Sequence, residues 1–312
     1  MSAKMALRDA NVNRPSGDPG VYVPDIELHE TTTLEETAAA LSRYGPRARL
    51  LAGGTDLLVD LKTGRVGFDH LVSIKRVAAL RGLSESDAGL RIGALTTVTQ
   101  LNRSPIIRQR FAPLLDATSR MAAPQIRNVA TVGGNIASAV PCADLPPILT
   151  AMNASVVLWS PTGERTVSLE EFFVGARQTV RRDDEVLTAV LVPVQPPGFG
   201  AAYARFQLRD GNAIAVASVA ASLLLDGDNT AQQARIVLGA VAPIPKLVAA
   251  AGNELVGQPP DDDAFRRAAQ LAMRAAEPIS DVRGSADFRR ELVGVLTRRA
   301  LTTAHQRARE GR

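Results

Sequence analysis

Two glycine pairs carry the clearest chemical potential in this chain. Gly53 and Gly54 lie in "LLAGGTDLL", and Gly133 and Gly134 lie in "TVGGN", 80 positions further on. A backbone that must approach an anionic group closely needs glycine, because a Cβ holds the ligand off and restricts φ. Consecutive amide N–H groups then converge as a neutral anion cradle. Two such turns can clamp the two phosphates of one pyrophosphate; each pair also suits an ordinary tight turn, where glycine is routine.

Other nucleotide sites are excluded by inspection. The chain has no G-x-G-x-x-G, the dinucleotide fingerprint of a Rossmann domain, and no Gly-Lys pair, so it has no Walker A loop. Its four lysines, Lys4, Lys62, Lys75 and Lys246, leave little material for a P-loop or a pyridoxal-phosphate site. Nucleotide binding here must rest on backbone amides.

Side-chain chemistry is sparse. Cys142 lies two residues from Asp144, but no histidine is near in sequence to act as a base, so it reads as a small buried cysteine. Asp183 and Asp184 in "RRDDE" read as part of a solvated turn, and Asp261 to Asp263 as the cap of a following helix. His29, His70 and His305 are too scattered in sequence for a zinc motif, and one cysteine can form neither an intrachain disulfide nor an iron–sulfur cluster. No metal site and no catalytic side chain is expected. Any redox chemistry must come from something the chain binds.

The elements that position the glycines are legible. A capping-box pair, Thr33 and Glu36, opens a helix over about 33–44 that Gly45 and Pro46 stop. A strand at Leu50 to Ala52 runs into Gly53 and Gly54, and an apolar periodic segment follows at once. Short strands are predicted at 70–74 and 89–94, then helical sequence from Val98 to Met121 broken near Pro105 and Pro113. Thr131 and Val132 read as a second short β-branched approach to paired glycines. A helix in "DLPPILTAMNA" and strands in "SVVLWS" and "EVLTAVLVP" lead to "PVQPPGFG", the best linker in the chain. Beyond it come three antiparallel strands, in "AAYARFQLR", "IAVASVAASLLLD" and "ARIVLGAVAP", backed by helices over about 262–276 and 286–309.

Composition frames this as a soluble globular chain of two domains: 312 residues, 46% hydrophobic and 22% charged. The formal charge is only +4, yet the pI is about 9.6, because nearly all the cations are Arg. A pI this high invites a nucleic-acid reading, but aromatics are 4% and no stretch interleaves Arg with Phe or Tyr. The basic surface is assigned to protein partners and nucleic acid is excluded. Residues 1–20 read as a disordered tail without a secretory signal, and no apolar run reaches the ~18 residues of a membrane span. A cytoplasmic, reducing location is expected.

"LLAGGTDLL" (50–58), "TVGGN" (131–135), "PCADLPP" (141–147) and "PISDVRGSADFRR" (278–290), in that order, resemble the FAD-binding medium subunit of the molybdenum hydroxylases, the carbon monoxide dehydrogenase and xanthine dehydrogenase type. The resemblance implies an α+β fold: a vanillyl-alcohol-oxidase (PCMH)-type FAD domain over 21–195, with subdomains of about 21–75 and 76–195. A smaller α/β C-terminal domain over 200–308 follows, with a three-stranded antiparallel sheet and helices. By the same likeness Leu50, Leu51, Ala52, Gly53, Gly54, Thr55, Asp56 and Leu57 form the first FAD loop. Thr131, Val132, Gly133, Gly134 and Asn135 form the second. Met121 occupies a cofactor-contact position, Asp144 matches an acid that bonds the cofactor's polar chain, Leu187 matches an apolar contact near the ring, and Arg205 stands where the family often has lysine. The resemblance further implies a large molybdopterin-binding subunit and a small 2Fe-2S subunit as partners, in a dimer of heterotrimers. By the same likeness FAD passes electrons to an external acceptor, NAD, oxygen or a quinone. A free-standing flavin oxidoreductase of the same fold and a non-catalytic basic scaffold are the alternatives.

Overall fold

The computed structural model describes residues 25–311; the tail expected over 1–20 lies outside them. Among these residues, a parallel sheet comes first, with Glu27–Glu30, His70–Ser73 and Ala48–Leu51 side by side in that order. Helix Leu34–Tyr44 packs on it. Thr33 caps this helix by accepting the Glu36 amide at 3.1 Å, while the Glu36 carboxylate reaches back to Thr32 rather than to Thr33. Gly45 then ends it at a φ of 54°, a left-handed conformation that glycine adopts without strain.

A five-stranded antiparallel sheet follows, ordered Leu83–Ser86, Gly89–Gly93, Val186–Pro193, Ser155–Ser160 and Gly163–Ser168. Its two edge strands are polar and alternate weakly, so no apolar pattern announced them. Prolines start each of the short helices Pro105–Arg110 and Pro113–Thr118, which divides the helical stretch where expected. One expectation is overturned. Thr131 and Val132 are not a strand: Thr131 makes only an isolated bridge to Thr97 and caps helix Val132–Ala137, accepting the Gly134 amide at 3.0 Å. A β-branched pair before glycines suits an N-cap as well as a strand end, and the hydroxyl of Thr131 decides between them.

The third sheet is antiparallel, ordered Phe199–Phe206, Ala217–Leu225, Ala231–Gly239 and Lys246–Leu247, the last a two-residue edge strand beyond the three expected. Helices Asp262–Ala275 and Ala286–Glu310 cover it, with Asp261 capping the first through the Ala264 amide at 2.7 Å. The chain crosses to this sheet through residues 194–198, but the apolar core does not stop there. Helix Leu145–Ala151, buried along its whole length, lies between the sheets, and one cluster joins Val132, Ile148 and Leu187 to Ala201, Tyr203, Ala220 and Val237. Within "RRDDE", Asp183 and Asp184 are exposed as expected. Glu185 is not part of a solvated turn: it is buried and accepts two bonds from Arg165 at 2.6 and 3.0 Å.

The closing motif over 278–290 clasps the last helix to the sheet. Ser285 caps that helix, and buried Arg289 donates to the Val216 carbonyl at 2.9 Å and to Asp281 at 2.6 Å. The Arg283 amide also donates to Asp281, at 2.8 Å, and this bond, with the guanidinium groups of Arg283 and Arg289, lowers the Asp281 carboxyl to about 2. A carboxyl held below its unfolded value adds stability above that value and loses it as pH falls through the folded one. Wild type should therefore lose its stability advantage over Asp281→Asn between about pH 4 and pH 2. Denaturant midpoints of both proteins across that range check this; a constant difference counts against the clasp.

Candidate cofactor site

The two glycine segments meet in space. A Cβ on Gly53 would stand 2.1 Å from the Val129 carbonyl oxygen, so the first loop lies backbone against backbone on the segment leading to Thr131. Gly54 has a φ of 76° and turns the chain into helix Leu57–Lys62. One glycine permits the approach, the other the turn.

Their amides behave differently. Among the described residues, the N–H groups of Gly53, Gly54, Thr55 and Asp56 have no protein acceptor, while the loop carbonyls of Gly54 and Asp56 accept from Leu58 and Asp60. Four successive donors are thus left for a ligand, on half-buried and exposed backbone. In the second segment the amides from Val132 to Asn135 are engaged: Val132 donates to Thr96 and Gly133 to Ala94, both at 2.9 Å, Gly134 to the Thr131 hydroxyl and Asn135 to the Thr131 carbonyl. The run of successive unclaimed amides therefore lies at the first glycine pair. Gly133 is glycine for another reason: its Cβ would stand 2.6 Å from Ala94 Cβ and 2.8 Å from Ala94 O. What the second segment offers outward is a side chain, Asn135, whose Oδ1 accepts a long 3.4 Å bond from the Leu145 amide and whose Nδ2 has no protein partner among the described residues.

Leu145 starts the buried helix, and the residue before it is Asp144. Its Oδ1 accepts from the Tyr203 hydroxyl at 2.7 Å, and both its oxygens lie 2.8 Å from Arg205 Nη1; the other Arg205 nitrogen donates to the Arg120 carbonyl. Burial pushes the Asp144 carboxyl above its ordinary value, opposed by the Arg205 guanidinium and the Tyr203 hydroxyl. Burial together with Asp144 holds the Tyr203 phenol well above its usual range, so it stays a proton donor. Tyr203 escaped the sequence reading, although alternation along "AAYARF" sets Tyr203 and Arg205 on one face of a strand. Ala94, Thr96 and Val129 also escaped it, because their contribution is made by backbone carbonyls that any residue type supplies.

The remaining expected residues frame this line. Met121 is buried beside the Arg120 carbonyl, and its own carbonyl accepts from Arg127 at 2.7 Å. Leu187 is buried at a bulge in strand Val186–Pro193 and shares the core cluster with Met121 and Val132. Leu50 and Ala52 pack on a different cluster, around Val72 and Leu80, and Leu51 and Leu57 on a third around Phe68. Those four anchor the loop to the parallel sheet. Cys142 is half-buried, and burial raises its thiol, which leaves it protonated and unsuited to act as a nucleophile.

A run of unclaimed amides on one glycine turn, set against a second glycine segment, is an arrangement suited to the phosphates of a nucleotide without a Rossmann or Walker motif. The chain matches the FAD binding domain in molybdopterin dehydrogenase over residues 24–195 and the CO dehydrogenase flavoprotein C-terminal domain over residues 201–304. It is 36% identical to the carbon monoxide dehydrogenase medium chain of Hydrogenophaga pseudoflava, over 91% of this chain and 98% of that one. It is 34% identical to the putative xanthine dehydrogenase FAD-binding subunit of Escherichia coli K12, over 88% and 94%. Its fold superimposes on a solved carbon monoxide dehydrogenase chain from H. pseudoflava with a TM-score of 0.88, at 35% identity, covering 92% of this chain and 99% of that one. Quinoline 2-oxidoreductase from Pseudomonas putida 86 gives 0.86 at 30% identity, covering 92% and 99%. This chain belongs to the family of FAD-binding medium subunits of the molybdenum hydroxylases, and its relatives are subunits of oxidoreductases. No helix among the described residues is long and apolar enough to cross a membrane.

Two expected outcomes follow from the packing. Gly133→Val should lower the yield and stability of the folded chain even without flavin, because the added methyls meet Ala94 backbone; thermal melts of the flavin-free protein measure this. A normal melt with only flavin lost would restore Gly133 as a ligand position. Arg205→Ala strands a buried carboxylate and should cost about 3–5 kcal/mol, whereas Asp144→Asn with Arg205→Met should recover part of it. Denaturant unfolding of the three proteins distinguishes an ion pair that matters from one that does not.

Proposed function

We propose that this chain is the electron-carrying flavoprotein of a three-subunit molybdenum hydroxylase complex. The observation that carries this is the row of four unclaimed amides, Gly53 to Asp56, on the loop that packs against the 129–135 segment. These donors suit the pyrophosphate of FAD, with the Asn135 amide as a side-chain donor from the facing segment. On this reading Asp144, held by Tyr203 and Arg205, accepts from the polar chain of the cofactor, and Met121 and Leu187 offer apolar surface toward the ring system. FAD held here would supply the redox chemistry, accepting electrons from the 2Fe-2S clusters of a small partner subunit for an acceptor such as NAD, oxygen or a quinone. The chain's own residues bind and orient, exclude water at the buried Asp144 end, and transfer no proton.

Division of labour supports the partner assignment. One cysteine cannot ligate a 2Fe-2S cluster, so on this reading the iron belongs to another chain; the family likeness assigns molybdopterin to a further one, and the Arg-rich surface is available to both. A dimer of heterotrimers in the cytoplasm is the assembly this reading expects. Purified full-length protein should be yellow with flavin absorption bands, and co-expression with its partners should yield a large chain containing molybdenum and a small chain containing iron. A colourless protein would favour a basic scaffold; a flavin-loaded chain that oxidises substrate alone would favour a free-standing enzyme. Asn135→Leu should reduce FAD affinity by about tenfold or more while leaving the melt of the flavin-free chain close to wild type. Fluorescence titration with FAD reads that change.

A further inference from the structure

The three histidines are scattered in the sequence, but two of them are adjacent in the fold. Strand Glu27–Glu30 pairs in parallel with strand His70–Ser73, with Glu27 opposite His70 and His29 opposite Val72. Alternate residues of a strand share a face, so Glu27 and His29 project to one side of the sheet, and His70 projects beside them. The result is convergence: His29 Nε2 is 3.1 Å from His70 Nδ1, which is 3.4 Å from Glu27 Oε2, and His29 Nε2 is 3.8 Å from Glu27 Oε1.

We infer that Glu27, His29 and His70 form a divalent transition-metal site, selective for borderline ions such as Zn2+, on the edge of the parallel sheet. Ligand bonds of about 2.0–2.1 Å at tetrahedral angles set neighbouring donor atoms about 3.3 Å apart, close to the spacings seen here. His29 binds through Nε2 and His70 through Nδ1, so each ring keeps its proton on the other nitrogen. Tyr44, at the end of helix Leu34–Tyr44, stacks on both imidazoles, with ring centroids 4.5 Å from His29 and 3.9 Å from His70, and fixes their orientation. Glu27 forms no ion pair with Lys or Arg among the described residues; its carboxylate is directed at the two rings. It is also 64% exposed, which gives an ion access and leaves a fourth position for water. Two imidazoles and a carboxylate make a donor set suited to Zn2+ and Cu2+ rather than to Mg2+ or Ca2+.

Such an ion would join two strands 41 positions apart in sequence. The central strand of the pair also hydrogen-bonds to Ala48–Leu51, the strand that delivers the chain to Gly53. The site is therefore a clip on the sheet that carries the first glycine loop, separate from the flavin reading.

Isothermal titration of Zn2+ into chelator-treated full-length protein at neutral pH tests the assignment. One Zn2+ should bind per chain with saturation. His70→Gln and Glu27→Gln should each weaken binding about tenfold or more, and His305→Gln should leave it unchanged. Glu27 is exposed, so its variant keeps the experiment informative if His70→Gln folds poorly; circular dichroism and flavin content report folding independently. Absence of saturable binding, or equal affinity in wild type and Glu27→Gln, overturns the site.

Discussion

The contact on which this structure turns is that between Gly53 and the Val129 carbonyl, where no Cβ fits. It presses a loop of the parallel sheet against the segment that leads into helix Val132–Ala137, and it sets the spacing between them. Everything ligand-directed lies on either side of it. Gly54 turns the four free amides of the first loop outward, and the helix capped by Thr131 holds Asn135 on the second. A side chain at position 53 would separate the two loops by roughly the width of a methyl group. That is comparable with the tolerance within which binding groups must be held.

The second constraint is the burial of Asp144. A carboxylate at this depth is costly unless paired, and its partners, Tyr203 and Arg205, both come from the first strand of the C-terminal sheet. The link is repeated nearby: Asp116 accepts from Arg307 at 2.6 and 3.0 Å and from the Tyr203 amide at 3.2 Å, joining a helix of the first half to the last helix of the chain. With helix Leu145–Ala151 buried between the sheets, the C-terminal region is part of the scaffold that holds the site. This explains why the core is continuous across 194–198 although the composition there reads as a linker.

How much of this was legible depends on what kind of atom does the work. Helices opened by Thr33 and Asp261 were readable because caps are side chains at fixed offsets, and the strands around Val190 and Ala220 because apolar runs are side-chain patterns. The glycine pairs were visible as glycines, but their different purposes were not. Gly133 is required by Ala94 and Gly53 by Val129, and neither residue type signals that its backbone will be approached. The polar edge strands Leu83–Ser86 and Gly163–Ser168 were missed because they bury little and take their place from hydrogen bonds with a neighbour. The closeness of His29 to His70 was invisible for the same reason: it depends on parallel strand register, which is a property of the pair and not of either segment.

The asymmetry between the two glycine segments bears on how this family makes a nucleotide site without a long dinucleotide-binding helix. A phosphate needs several donors that are not already satisfied, and a buried backbone tolerates few of those. The structure meets both demands by separating them. In the second segment the amides from Val132 to Asn135 are engaged within the protein, by Ala94, Thr96 and Thr131. In the first segment the donors of Gly53 to Asp56 remain on partly exposed backbone, within reach of solvent. On the proposed reading, a diphosphate bound at such a surface would engage a short loop and not a whole domain, so little of the interaction free energy would be lost to conformational entropy.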